Sequence, residues 1–148
     1  MGKIKVALIG SGQIARVSHI PAYRLMENVE IVGVSDTNSD AAKKLAEDFD
    51  IPYYTQSHKD LLEHCMPDMV SVCVPNKFHY PIVMDALEYG CNVMCEKPPA
   101  ISAKEAWEMA EKAEEKGLIL TYDFHFRHGT NVSIIKEKIV EDKLGKIY

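Results

Sequence analysis

Short apolar runs alternate with longer amphipathic stretches along the whole chain: 4–9, 30–35, a brief run around Tyr53, 69–74, 90–94 and 118–127. A strand parallel to its neighbour must be reached by a crossover of about a dozen residues or more, usually a helix. The alternation therefore restricts the chain to an α/β fold, a doubly wound parallel sheet of about six strands with helices on both faces. The run 69–74, Met-Val-Ser-Val-Cys-Val, is apolar on both faces and belongs in the middle of that sheet.

Local signals divide the rest. The helical stretch 13–26 carries Pro21, whose ring clashes with the preceding turn and kinks or restarts the helix there. Asn38 or Ser39 caps a second helix, with Ala42, Leu45, Ala46 and Phe49 at helical spacing, and Ser57 with Asp60 opens a third reaching about Cys65. A helix starts near Pro81 and stops at Gly90. Ser102 and Glu105 form a capping box for the next, whose expected apolar stripe is Ala103, Ala106, Trp107, Ala110 and Ala113. In 118–127 the far end alternates, with Tyr122, Phe124 and Phe126 opposite Asp123, His125 and Arg127. A last helix spans about 132–142.

With 47% hydrophobic and 26% charged residues, the 148-residue chain has enough apolar material for one core, and residues 1–148 read as one domain. A net charge of −5 without a dense Lys/Arg cluster argues against nucleic acid, which demands a basic face. No apolar span approaches membrane length and the N-terminal residues pass directly into the first strand, so a soluble cytoplasmic protein is expected. Cys65, Cys73, Cys91 and Cys95 include no C-x-x-C pair and read as reduced, buried thiols. Cys91 and Cys95 share a strand face but lie far apart along it, so a zinc site with His64 or His125 is not expected, and no metal is assigned. Trp107 and the methionines are assigned to packing.

Two motifs carry chemistry. Gly10-Ser11-Gly12-Gln13-Ile14-Ala15 follows a strand and opens a helix in the pattern G-x-G-x-x-G/A. Gly10 permits the tight turn, Gly12 lets backbone approach a pyrophosphate, Ala15 allows close helix–strand packing, and the unpaired N–H groups of the helix start meet the phosphates. Asp36 ends the second strand, where a carboxylate accepts hydrogen bonds from adenosine ribose hydroxyls and repels a 2′-phosphate. No arginine follows it, so NAD is preferred over NADP; the plainer alternative is an Asp36 that caps a loop. The second motif is Cys95-Glu96-Lys97-Pro98-Pro99-Ala100, where proline halts the ladder and leaves Glu96 and Lys97 at the carboxyl end of a strand. In open α/β sheets ligands sit at that end.

With these motifs and Pro75-Asn76-Lys77-Phe78-His79 in this order, the chain resembles the N-terminal half of the Gfo/Idh/MocA oxidoreductases over essentially its whole length. The resemblance implies a Rossmann domain in which Lys97 lies beside the nicotinamide and the reacting oxygen of the substrate, and Glu96 near the nicotinamide ribose. It also implies that Pro75, Asn76 and His79 line the cofactor cleft, although His79 could equally cap the helix that follows. Arg127 matches a position near the substrate side and could equally be an ion-pair partner at the rim. The implied reaction is hydride transfer between a nicotinamide and a sugar, inositol or related polyol, with Lys97 as the catalytic residue. Expected partners are that small molecule and further copies of the chain.

Family members continue into an α+β domain, mostly open β-sheet, that supplies further acid–base groups. That domain is absent from this chain, 144–148 reads as the entry into it, and the chain by itself is expected to bind NAD but turn over poorly. Two other readings remain open: a stand-alone dinucleotide module that senses redox state through a protein partner, and a docking remnant without cofactor affinity.

Overall fold

In the computed structural model, which describes residues 2–143, 145 and 146, β1 (Ile4–Ile9) lies between β2 (Val29–Ser35) and β4 (Met69–Val72). Outside these lie β3 (Tyr54–Thr55) on one side, then β5 (Asn92–Cys95) and β6 (Leu120–Tyr122) on the other, giving the order β3-β2-β1-β4-β5-β6. Every pairing is parallel. This is the order of the classic dinucleotide-binding sheet, whose crevice opens between β1 and β4.

The pleat sorts the side chains. Ala7, Ile9, Val70, Val72, Val93 and Cys95 point to one face, where they meet Leu61 and Leu62 of α3 (His58–Cys65), Val83 and Leu87 of α4 (His79–Glu88), and Met109 of α5 (Ala103–Lys116). Leu8 and Val34 point to the other, beneath Ile20 of α1 (Ile20–Arg24) and Leu45 and Ala46 of α2 (Ser39–Asp48). A Cβ on Gly33 would sit 2.6 Å from Leu61 Cδ1 and 2.8 Å from Cys65 Sγ, so glycine lets α3 lie flat on β2. The caps follow the sequence: Asn38 accepts from Asp40 and Ala41 N–H, and Ser57 from Asp60 N–H. Ser102 accepts from Glu105 N–H, while the returning Glu105 carboxylate takes the N–H of Ile101, one residue before the cap.

Several expectations are corrected. The run 69–74 pairs only as far as Val72 because neighbouring β1 turns away at Gly10. The helix expected near Pro81 begins at His79, after a 3-10 turn at Asn76–Phe78. Strand six ends at Tyr122 rather than 127: its partner β5 stops at Cys95, and beyond it the chain folds into a 3-10 turn, His125–His128. The alternation of 122–127 therefore has no sheet to act on. On α5 the buried side is Met109 and Ala113, with Ala106 half-buried, while Trp107 is 70% exposed. Met26 and Met66 are likewise exposed, Met66 as the left-handed residue that ends α3. The last helix, α6 (Thr130–Val140), buries none of its residues. The expected entry into a second domain at 144–148 falls largely outside the described residues. Among the described residues no helix is long and apolar enough to cross a membrane.

The carboxyl ends of five strands stand in one row. Ile9 is level with Ser35 and Val72, Val72 with Cys95, and Cys95 with Tyr122. Each ladder adds one further rung: Gly10 N–H to Ser35 O, Asp36 N–H to Thr55 O, Cys73 N–H to Ile9 O, Glu96 N–H to Val72 O, and Asp123 N–H to Cys95 O. The register thus delivers Gly10, Asp36, Glu96 and Asp123, distant in sequence, to one edge of the sheet.

Candidate functional site

At that edge Gly10 has φ +103°, a conformation L residues rarely adopt. A Cβ there would sit 2.4 Å from the carbonyl oxygen of Cys73, so the turn can pass the end of β4 only as glycine. Around Gly12 nothing lies within 4 Å of a Cβ position, which leaves that side of the turn open. Gln13 is exposed, Ile14 is half-buried against the core, and Ala15 is fully buried beneath the sheet.

Asp36 ties the turn to β2. Its Oδ2 accepts from Ser11 N–H and Ser11 Oγ, both at 2.8 Å, and its Oδ1 from Asn38 N–H at 2.9 Å. Partial burial pulls its pKa upward, but the bonds from Asn38 and Ser11 outweigh this and leave it below the ordinary aspartate value. Of about four lone-pair positions on a carboxylate these bonds use three, so Asp36 retains capacity for a ribose hydroxyl.

On the other side of β4 stands the E-K-P segment. Glu96 is 6% exposed; its Oε1 lies 3.0 Å from His19 Nε2, and its Oε2 accepts from the N–H of Lys97 at 3.2 Å. Asp123 Oδ2 lies 3.8 Å from the same His19 nitrogen. The Lys97 side chain is exposed, and among the described residues no carboxylate lies within 4.0 Å of its ammonium. His79 does not cap its helix. It is buried, with Nδ1 2.9 Å from the carbonyl oxygen of Pro98 and Nε2 2.9 Å from that of Val74, so the ring is wedged between the E-K-P turn and the segment that follows β4. Pro75 is exposed at the head of the 3-10 turn, and Asn76 Oδ1 is buried without a partner among the described residues. Arg127 is exposed on the last 3-10 turn, with no carboxylate in ion-pair reach among the described residues.

His19 went unremarked in the sequence because helical spacing alone makes it a helix residue among others. Its placement depends on a π-turn, Ala15–His19, in which the N–H of Ile20 reaches back to Ala15 O. Pro21, which has no N–H, follows at the start of α1. Such widened turns recur at functional sites, and proline inside a G-x-G-x-x-A helix was the available signal. Next along α1, Tyr23 OH meets Ser71 Oγ at 2.5 Å, and burial pushes the phenol up to about 12.

Residues 4–124 match a family described as an oxidoreductase family with an NAD-binding Rossmann fold. The chain belongs to the Gfo/Idh/MocA oxidoreductases. It is 40% identical over 145 residues to D-glucoside 3-dehydrogenase of Escherichia coli, covering 98% of this chain and 41% of that protein. To glucose-6-phosphate 3-dehydrogenase of Bacillus subtilis it is 33% identical, over 97% of this chain and 40% of the relative. The chain thus spans about two fifths of the length of these relatives. Among solved structures, a mutant of KijD10, a 3-ketoreductase from Actinomadura kijaniata in complex with TDP-benzene and NADP, superposes with a TM-score of 0.91 at 28% identity, over 99% of this chain and 45% of that one. The WlbA dehydrogenase from Bordetella pertussis in complex with NADH and UDP-GlcNAcA gives 0.91 at 25% identity, over 99% and 42%. As a Gfo/Idh/MocA domain, the chain carries the glycine turn and the E-K-P segment at the same edge of one sheet.

Proposed function

We propose that this chain is the dinucleotide-binding domain of an NAD(P)-dependent oxidoreductase that transfers hydride between a nicotinamide and a secondary hydroxyl of a sugar, inositol or related polyol. The observation that carries the reading is the row of strand ends, which sets Gly10 and Asp36 on one side of β4 and Glu96 and Lys97 on the other. The residues fit the cofactor: the open face of Gly12 and the helix start behind it suit a pyrophosphate, and the free capacity of Asp36 suits the adenosine ribose. The unpartnered Asn76 oxygen suits a ligand hydroxyl or amide. When bound, the nicotinamide would supply the hydride acceptor or donor at its ring.

Lys97 is the catalytic residue of this reading. Its exposed ammonium, with no carboxylate in ion-pair reach among the described residues, donates a hydrogen bond to the oxygen that changes between hydroxyl and carbonyl, stabilising charge as it develops there. Glu96, held below it, supports the backbone from which Lys97 extends. Asp36 makes NAD the preferred dinucleotide, since a 2′-phosphate would meet its carboxylate. Arg127 is assigned to the substrate side.

Calorimetric titration with NAD+, NADH and NADPH tests this. NAD forms are expected to bind more tightly than NADPH, and the preference to vanish in Asp36→Ala. If none of the three binds, the glycine turn is structural and the reading fails.

A further inference from the structure

We infer that His19 is a positioning residue for the nicotinamide end of the site. The inference rests on the dinucleotide reading above and adds a residue that neither sequence motif contains. In that reading the two motifs hold opposite halves of a dinucleotide, and His19, on the turn that follows the first, contacts Glu96 of the second.

His19 stands on the π-turn that continues directly from the glycine motif, and it is only 4% exposed. The widened turn points the imidazole down onto the sheet, on the face where the pleat of β5 also sends Met94 and Glu96. There Nε2 meets Glu96 Oε1 at 3.0 Å, while Asp123 Oδ2, at the end of β6, lies 3.8 Å away. Glu96 is buried, and a buried carboxyl group without hydrogen-bond partners is disfavoured. It has two: His19 on one oxygen and the Lys97 N–H on the other. The hydrogen bond from the Lys97 backbone sets the direction in which that residue leaves the sheet. Glu96 can accept it steadily only while its carboxylate is held, and His19 is what holds the far oxygen. On the opposite side the buried His79 ring packs against the carbonyl of Pro98, with Nδ1 2.9 Å from its oxygen. Lys97 therefore extends from a segment anchored before and after it, and the anchor before it comes from the helix of the glycine turn.

The three groups His19, Glu96 and Asp123 bring their ligating atoms within 4.8 Å of one another. The 3.0 Å contact between His19 and Glu96 is a direct hydrogen bond, and with that bond in place the cluster acts as a brace.

The test compares NADH with ADP-ribose, which keeps the adenosine, the pyrophosphate and the second ribose and lacks only the nicotinamide ring. Both are titrated calorimetrically into the wild-type chain, His19→Ala and His19→Gln. In the wild type NADH is expected to bind more tightly than ADP-ribose. In His19→Ala the NADH affinity should fall about tenfold, as for loss of a hydrogen bond to a charged group, with ADP-ribose changed less than about twofold. His19→Gln, whose amide can still donate to Glu96, should recover most of the loss. If His19→Ala does not fold, Glu96→Gln is measured instead and should show the same selective loss of NADH. The inference is overturned if NADH and ADP-ribose weaken together, if neither weakens, or if the wild type binds them equally. Absence of binding to either ligand in the wild type would overturn the dinucleotide reading itself, and this inference with it.

Discussion

Gly10 and Gly12 occupy equivalent-looking places in one motif, yet the structure gives them different physical roles. At Gly10 an added methyl meets backbone of Cys73 that cannot swing aside, on a φ of +103°. Strain of that kind costs about 1–3 kcal/mol before any clash is counted. Gly10→Ala is therefore expected to lower the unfolding free energy from chemical denaturation by at least that amount or to prevent folding. At Gly12 there is nothing to strike, so Gly12→Ala should leave stability within about 0.5 kcal/mol of wild type while weakening NADH binding. Equal destabilisation by the two would contradict the assignment. The motif spacing identified both glycines and Asp36. It could not show that Ser11 supplies two of the donors on Asp36, because that depends on how the turn folds over the end of β2.

At the scale of elements, α5 shows where reading by period succeeds and where it slips. Its N-terminal capping by Ser102 and Glu105 was legible, since capping depends on residues a turn apart. Its buried face was not: two stripes, one through Ala103, Trp107 and Ala110 and the other through Ala106, Met109 and Ala113, both satisfy helical spacing. The rotation of the helix on the sheet chooses the second, since β5 offers Val93 and Cys95 to Met109. Met109→Ala should cost about 2–5 kcal/mol, whereas Trp107→Ala should stay within about 0.5 kcal/mol, despite removing the larger side chain. Chemical denaturation of the two variants decides the matter; a larger loss at Trp107 would mean that its face is covered. The misjudged end of β6 has the same origin, because a strand extends only as far as its partner and β5 ends at Cys95.

For the whole molecule, the dinucleotide reading makes a statement about stability. A ligand that binds only the folded chain adds about 2.7 kcal/mol when present at a hundred times its Kd. For a chain of this size each kcal/mol raises the melting temperature by about 2–4 °C. Saturating NADH is thus expected to raise Tm by roughly 5–10 °C, and NADPH at equal concentration by less. A thermal shift identical for the two would show that Asp36 does not discriminate at the 2′ position.

The α/β class, the parallel sheet, most of the caps and the three polar stations of the edge, namely the glycine turn, Asp36 and the E-K-P segment, were legible in the residues alone. These follow from short-range rules: periodicity, the turn chemistry of glycine, and the inability of proline to continue a ladder. Only the tertiary structure decided that the stations form one row, because that depends on inter-strand register. The packed fold also wedges His79 between the E-K-P turn and the segment after β4, and brings His19 to Glu96, seventy-seven residues away. Contacts of that kind join residues whose separation along the chain carries no period, and only the folded sheet brings them within a hydrogen bond.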